Sequence, residues 1–314
     1  MEFFLQPFGT ETGEKRLKSP AARGGTSGFY QVSRISSGLY SIREDISGGR
    51  FPISIYLVAG TRKAALIDTG LGTGNLKKTV ESLTGLPAAV LHTHAHGDHV
   101  GADGQFDKIY LNKRDFGPSG KGYDAGALSR QRDQFIRAQL LGAGRNELYG
   151  RITENLEKIR ETVCREIEDG DTWDLGGVRI RAISTPGHTP GSFSFVDTAH
   201  GCAFTGDGIA DIHWFDGGTV TVEDFLHTLR HFEANAEGVR RIYAAHLPIP
   251  FGMDLVRDLE DAAEAILGGS RDPEENADYQ FLRHGKMYVH RSGAATIYYK
   301  REYIFHRPRF PLRL

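Results

Sequence analysis

The sequence predicts an α/β chain built on two β-sheets covered by outer helices. Three observations carry that prediction. Short apolar runs of strand length come in two batches, and each batch is punctuated by segments of helical period. The helical segments have one apolar face, which must be laid against another layer. Side chains able to bind metal recur where strands end, which is where a loop-built site on a rigid sheet draws its residues.

Residues 1–28 are expected to form an N-terminal arm, because 7–28 are rich in Gly, Ser, Thr, Pro and charge. The strand pattern begins at Phe29 with FYQVSRI, LYSIRE, ISIYLVA and KAALIDT, the last two flanking the turn Gly60-Thr61-Arg62. Gly70, Gly72 and Gly74 mark a loop. Leu76, Val80 and Leu83 then share a helical face that Gly85 stops. AAVLHTH reads as a buried strand running into a histidine cluster, and KIYLN as the next strand. Residues 116–169 differ from their surroundings and are expected to be a helical insertion. Leu148, Ile152, Leu156, Ile159, Val163 and Ile167 lie there on one helical stripe ahead of Gly170. Strands resume with VRIRAIS, SFSFVD and GCAFTGD. Thr221 and Asp224 have the spacing of a capping box ahead of Phe225, Leu226, Leu229 and Phe232. RRIYAAH is a strand ending in histidine, 254–267 a helix with Leu255, Leu259, Ala262, Ala263 and Ile266 on one face, and KMYVHR with ATIYYKREYIF a closing hairpin. Residues 29–314 are therefore expected to form a single domain.

Composition narrows the function classes. Lys and Arg number 38 against 40 Asp and Glu, so a net charge of -2 argues against a protein that coats nucleic acid. The two cysteines, Cys164 and Cys202, cannot staple a secreted scaffold and lack the spacing of a structural zinc site. The first residues carry no basic region followed by an apolar run, and no stretch approaches the ~20 apolar residues of a membrane span. The expectations are a cytoplasmic protein with a small-molecule substrate and neither a nucleic-acid nor a membrane partner.

The segment LHTHAHGDHVG concentrates His92, His94, His96, Asp98 and His99 just past a strand. In extended chain residues i and i+2 point the same way, so His94 and His96 can share one ion. A turn at Gly97 can swing Asp98 and His99 toward a second. Neutral imidazole and carboxylate are ligands that zinc takes. His188 in TPGHTPGS, Asp207 closing AFTGD and His246 closing RIYAAH repeat the pattern at later strand ends. His92 is expected to serve the core or to support the ligands, and His200, His227, His231 and His306 to be surface or packing residues.

HTHAHGDH resembles the HxHxDH signature of the metallo-β-lactamase-fold hydrolases, and TPGHTPGS, FTGD and the terminal AAH resemble that superfamily's later metal motifs, in order from about Ile53 to His246. The resemblance implies an αββα sandwich of two mixed β-sheets flanked by helices, with a dinuclear site at one edge. It implies that His94, His96 and His188 bind the first metal, that Asp98, His99 and His246 bind the second, and that Asp207 bridges. Asp68 in ALIDTG would accept a hydrogen bond from a ligand imidazole and fix its tautomer.

The implied activity is hydrolysis of a small ester, thioester, lactone or amide-like substrate by a hydroxide shared between two divalent ions, with Asp98 orienting the nucleophile or passing a proton. Zinc is the expected ion because imidazoles dominate, though Fe or Mn also suit such a set. The alternatives are a phosphodiesterase or a ligand-binding regulatory protein on the same fold. Asp207 speaks against a dedicated β-lactamase, and Ala210, where acyl-homoserine lactonases of the fold carry tyrosine, weakens that assignment. The insertion is expected to supply one pocket wall, with Leu128, Phe135, Ile136 and Leu140 facing the site, and His213 and Trp214 to supply another.

Overall fold

A computed structural model describes residues 30–49, 51–141, 144–217, 220–247, 249–278 and 283–306. The arm expected at 1–28 lies outside the described residues. Seven strands form a first sheet in sequence order: β1 (Tyr30–Ser36), β2 (Leu39–Glu44), β3 (Ile53–Ala59), β4 (Ala64–Ile67), β5 (Ala88–Leu91), β6 (Ile109–Leu111) and β7 (Arg165–Glu166). β1 to β4 pair antiparallel, and β4 to β7 parallel. A second sheet contains β8 (Thr172–Asp174), β9 (Arg179–Ser184), β10 (Phe193–Asp197), β11 (Cys202–Gly206) and, past the strand β12 (Ile212–Phe215), β13 (Arg241–Ala244). Its order is β13-β11-β10-β9-β8, with β11 and β13 parallel.

The two sheets meet over Tyr56, Val58, Ile67 and Leu91 on one side and Ala182, Phe195, Phe204 and Tyr243 on the other. Burying a side chain of this size contributes about 1.5–3 kcal/mol, so this layer holds the sandwich together. Outside the first sheet, the helix α1 (Leu76–Leu83) buries Leu76 and Val80 against Ile55, Leu57 and Leu66. Two further helices, α2 (Ala125–Leu141) and α3 (Asn146–Asn155), occupy the insertion. Outside the second sheet lie α4 (Val222–Asn235), whose Thr221–Asp224 capping box forms as the spacing predicts, and α5 (Asp254–Leu267).

The structure departs from the sequence reading in four places. The expected closing hairpin exists, but with β12 and β14 (Glu274–Asn276) its strands β15 (Lys286–Ser292) and β16 (Ala295–Tyr299) make a separate sheet, ordered β12-β16-β15-β14. That third sheet adds Ala295, Ile297 and Tyr299 to the core under α4 and α5. The helical stripe breaks after Asn155: Leu148, Ile152 and Leu156 join an apolar cluster, whereas Val163 is 77% exposed. Contacts distant in sequence override the helical period there, because Cys164 N donates to Lys121 O at 2.8 Å and the hydroxyl oxygens of Tyr123 and Thr162 lie 3.1 Å apart. The end of the insertion then becomes β7 and extends the first sheet. On α2, Leu128, Ile136 and Leu140 are buried in the core rather than facing a site.

Strand direction decides where function gathers. β4 and β5 run parallel, β11 and β13 run parallel, and β9 has the sense of β11 because both oppose β10. The residues following these strands therefore collect at one edge of the sandwich. The sheets are tied together at that edge by Ser54 N to Ala245 O at 2.7 Å and Phe193 N to Thr93 O at 2.7 Å.

Candidate metal centre and its cavity

Strand β5 ends at Leu91, earlier than the sequence pattern suggests, and His92–His96 follow as irregular chain. Side chains take over from ladder partners there. Asp68 Oδ1 accepts from Thr93 N at 2.8 Å, Asp115 Oδ2 from Ala95 N at 3.0 Å and Gln131 Oε1 from Gly97 N at 2.8 Å. Alternate amides of the loop are thus pinned by three distant residues, which leaves its imidazoles aimed at one point.

All seven expected ligand residues meet at this edge. His96 Nδ1 lies 3.1 Å from His94 Nε2 and 2.9 Å from His188 Nε2. Asp98 Oδ2 is 3.8 Å from His99 Nε2 and 3.5 Å from His246 Nε2. Asp207 Oδ2 stands between the sets, 4.0 and 3.5 Å from His94 and His188 Nε2, and 3.6 and 3.2 Å from His99 and His246 Nε2. His94–His96–His188, His94–His99–Asp207 and Asp98–His99–His246 are each compact enough to hold an ion.

The donor set fits a cation better than it fits protons. His96 Nδ1 has one lone pair or one proton and cannot satisfy both neighbouring rings. His99 Nε2 is buried with no hydrogen-bond partner among the described residues. A tetrahedral ion at about 2.0–2.1 Å holds its nitrogen ligands about 3.3 Å apart, close to the spacings of the first set. Burial lowers His94 and His96, and it lowers His188 to about 3 with the His96 ring beside it, so all three keep a free lone pair at neutral pH. Burial opposes charge on His99 and His246 as well, but Asp98 beside His99 and Asp207 beside His246 raise both. A cation entering the second set displaces those protons.

Asp68 sits in left-handed backbone, φ 62°, immediately after β4. Aspartate tolerates that conformation, and here it aims both carboxylate oxygens inward. Oδ2 accepts from Thr93 Oγ1 at 2.7 Å and from His99 Nδ1 at 2.9 Å, which turns His99 Nε2 toward Asp98 and Asp207. Burial works against its charge, yet the rings of His99 and His92 hold the carboxyl at about 2. His92 is a supporting residue, with Nδ1 3.3 Å from Asp68 and Nε2 2.9 Å from Asp103. Tyr123 Oη donates to Asp103 at 2.9 Å and joins the insertion to this network.

Several participants carried no sequence signal. Asp115 Oδ1 accepts from Gly191 N at 2.8 Å and its Oδ2 from Thr189 Oγ1 at 2.8 Å, so one carboxylate joins the His94–His96 loop to the His188 loop. Phe51 stacks on His246 with centroids 4.1 Å apart, while His246 Nδ1 donates to Pro52 O at 3.1 Å. A positive φ of 55° and contact with Thr93 Oγ1 require glycine at Gly206, next to Asp207.

The centre opens into a cavity of about 530 Å³. Phe51, Phe135 and Trp214 supply apolar wall, with His213 beside them. Phe135 and Trp214 thus come from the insertion and from β12, the two walls the sequence reading named. Among the described lining residues Arg283 is the one Lys or Arg, and Asp98, Asp207, Asp211 and Asp216 are the carboxylates.

Residues 48–251 match the family model of the metallo-beta-lactamase superfamily. YobT of Bacillus subtilis, an uncharacterized protein, is 31% identical over 160 residues, which are 50% of this chain and 62% of YobT. MBLAC2 of Bos taurus, an acyl-coenzyme A thioesterase, is 26% identical over 199 residues, 58% of this chain and 67% of MBLAC2. The chain therefore spans under two thirds of the first relative. A β-lactamase domain protein from Burkholderia ambifaria shares the fold, with a TM-score of 0.52 at 20% identity, covering 76% of this chain and 77% of that one. No helix among the described residues is long and apolar enough to cross a membrane.

Proposed function

The chain belongs to the metallo-β-lactamase superfamily, and from that membership we propose that it is a metal-dependent hydrolase of small acyl substrates, with acyl thioesters as the leading class. One observation carries the reading: two donor sets sharing Asp207 open into a cavity walled by Phe51, Phe135 and Trp214. His94, His96 and His188 would hold one divalent ion, Asp98, His99 and His246 a second, and Asp207 both, with zinc expected from the share of imidazoles. Ions bound there supply a hydroxide at neutral pH and polarise the acyl carbonyl oxygen.

The chain's own residues do the rest. Asp68 and Pro52 O fix the ring orientations of His99 and His246 through their Nδ1 atoms. Asp98, in the cavity wall, orients the attacking water and carries its proton to the leaving thiolate. The apolar wall takes the acyl chain and excludes water from it. The name of MBLAC2 as an acyl-coenzyme A thioesterase supports the same class.

The test is a substrate panel on metal-loaded protein: acyl-coenzyme A thioesters, simple esters, lactones and bis-p-nitrophenyl phosphate. Acyl thioesters are expected to give the highest kcat/KM, with activity abolished by a chelator and restored by metal. A protein that cleaves only the phosphodiester, or that keeps full activity without metal, contradicts the proposal.

A further inference from the structure

The loop carrying the candidate ligands packs directly on helix α2 of the insertion. A Cβ at Gly97 would collide with Leu128 O and with the backbone nitrogen of Arg132, so only glycine lets the His96–Asp98 turn lie so close to that helix. At this contact Gln131 accepts the Gly97 N–H at 2.8 Å. A backbone N–H can only donate, so the atom facing it is the carboxamide oxygen. That fixes the side-chain plane and sends the two Nε2 protons the other way. Nε2 donates to no acceptor among the described residues, and Gln131 lines the cavity together with His96 and Asp98.

The cavity-lining positions of α2 give this donor a context. Gln131, Phe135 and Ala138 follow at i, i+4 and i+7, one face of the helix, and all three line the cavity. Gln134 lines the cavity as well, so the face carries two carboxamides beside the Phe135 ring and the Ala138 methyl, and Phe135 also approaches the His246 ring with centroids 6.4 Å apart. An acyl group laid along it meets the Gln131 donor together with apolar surface from Phe135 and Ala138.

We propose that Gln131 is a substrate-binding residue that donates from Nε2 to an oxygen of the acyl group, at or next to the scissile carbonyl, in substrates that are aliphatic beyond it. The role rests on the acyl-hydrolase reading above. A donor already oriented by the loop loses little freedom on binding, and in an apolar wall an acceptor that misses it loses its hydrogen bond to water without replacement.

Two variants are read together: Gln131→Glu keeps an oxygen for the Gly97 N–H but exchanges the donors for a negative charge, and Gln131→Met removes the donors without adding charge. Metal content by elemental analysis and kcat and KM on plain, 2-hydroxy and 3-oxo acyl thioesters are measured together. We expect unchanged metal content and a fall in kcat/KM of about tenfold, the effect of one uncharged hydrogen bond. A uniform fall places the bond on the scissile carbonyl, and a fall confined to oxygenated chains places it on the neighbouring oxygen. Gln131→Met, of similar length and without a donor, should reproduce the fall and serves as the comparison if Glu alone disturbs the metals. Unchanged kinetics at equal metal content, or loss of metal in both variants, would make Gln131 only a clamp on the loop and overturn the proposal. A wild-type protein inactive on every acyl substrate would instead overturn the hydrolase reading, and this role with it.

Discussion

Asp207→Asn is expected to lower acyl hydrolysis by about 10³-fold and to reduce the bound metal. The carboxylate Oδ2 lies within 4.0 Å of the Nε2 atoms of His94, His99, His188 and His246, so one atom is within reach of both donor sets. Its charge is secure: burial disfavours it, but the His246 and His99 rings hold the carboxyl well below the usual range. An amide of the same shape keeps the volume, removes the charge and turns an N–H₂ toward a ring or an ion. A bound cation acting as Lewis acid is worth several kcal/mol, and each ~1.4 kcal/mol is tenfold in rate. Wild-type kcat/KM with two ions retained in Asp207→Asn would show that Asp207 is not shared.

Asp98→Asn separates chemistry from binding. Asp98 is buried, lines the cavity and lies 3.5 Å from His246 Nε2, yet among the seven it alone combines a place at one donor set with a carboxylate not shared with the other. A loss of at least ~10²-fold in kcat is expected, as for a positioned acid–base group. The comparison is made at equal metal content, by reconstituting the variant until elemental analysis matches wild type. Turnover equal to wild type under that condition would remove the catalytic role and leave Asp98 as a ligand alone.

The legible part of this molecule is what depends on short-range spacing. The Thr221–Asp224 capping box and the helix over 254–267 form where the sequence places them, because caps and apolar periods are local. The seven candidate ligands were readable because each ends or follows a strand, and parallel pairing of β4 with β5 and of β11 with β13 brings those ends to one edge. Asp68 was legible only through the resemblance of ALIDTG to the family's strand-end aspartate.

What stayed hidden is long-range. Asp115 reaches Ala95 20 residues away and Gly191 76 residues away, and nothing in NKRDFG announces that it will pin two loops. Phe51 gave no sign of its ring partner His246. The third sheet depends on β12 pairing with β16, Trp214 opposite Tyr298, a register no local pattern specifies. The helical stripe past Asn155 misled because helical period is only a prior, and hydrogen bonds with Lys121 O and the Tyr123 hydroxyl drew 162–164 out straight.

The central claim is that six side chains around a shared Asp207 make one two-ion centre. Elemental analysis of the full chain, after complete reconstitution and removal of free metal, tests it most directly. The account predicts about two divalent ions per chain, falling to about one in His96→Ala, which loses the first set, and in His246→Ala, which loses the second. One ion or none in the fully reconstituted wild-type protein would contradict it.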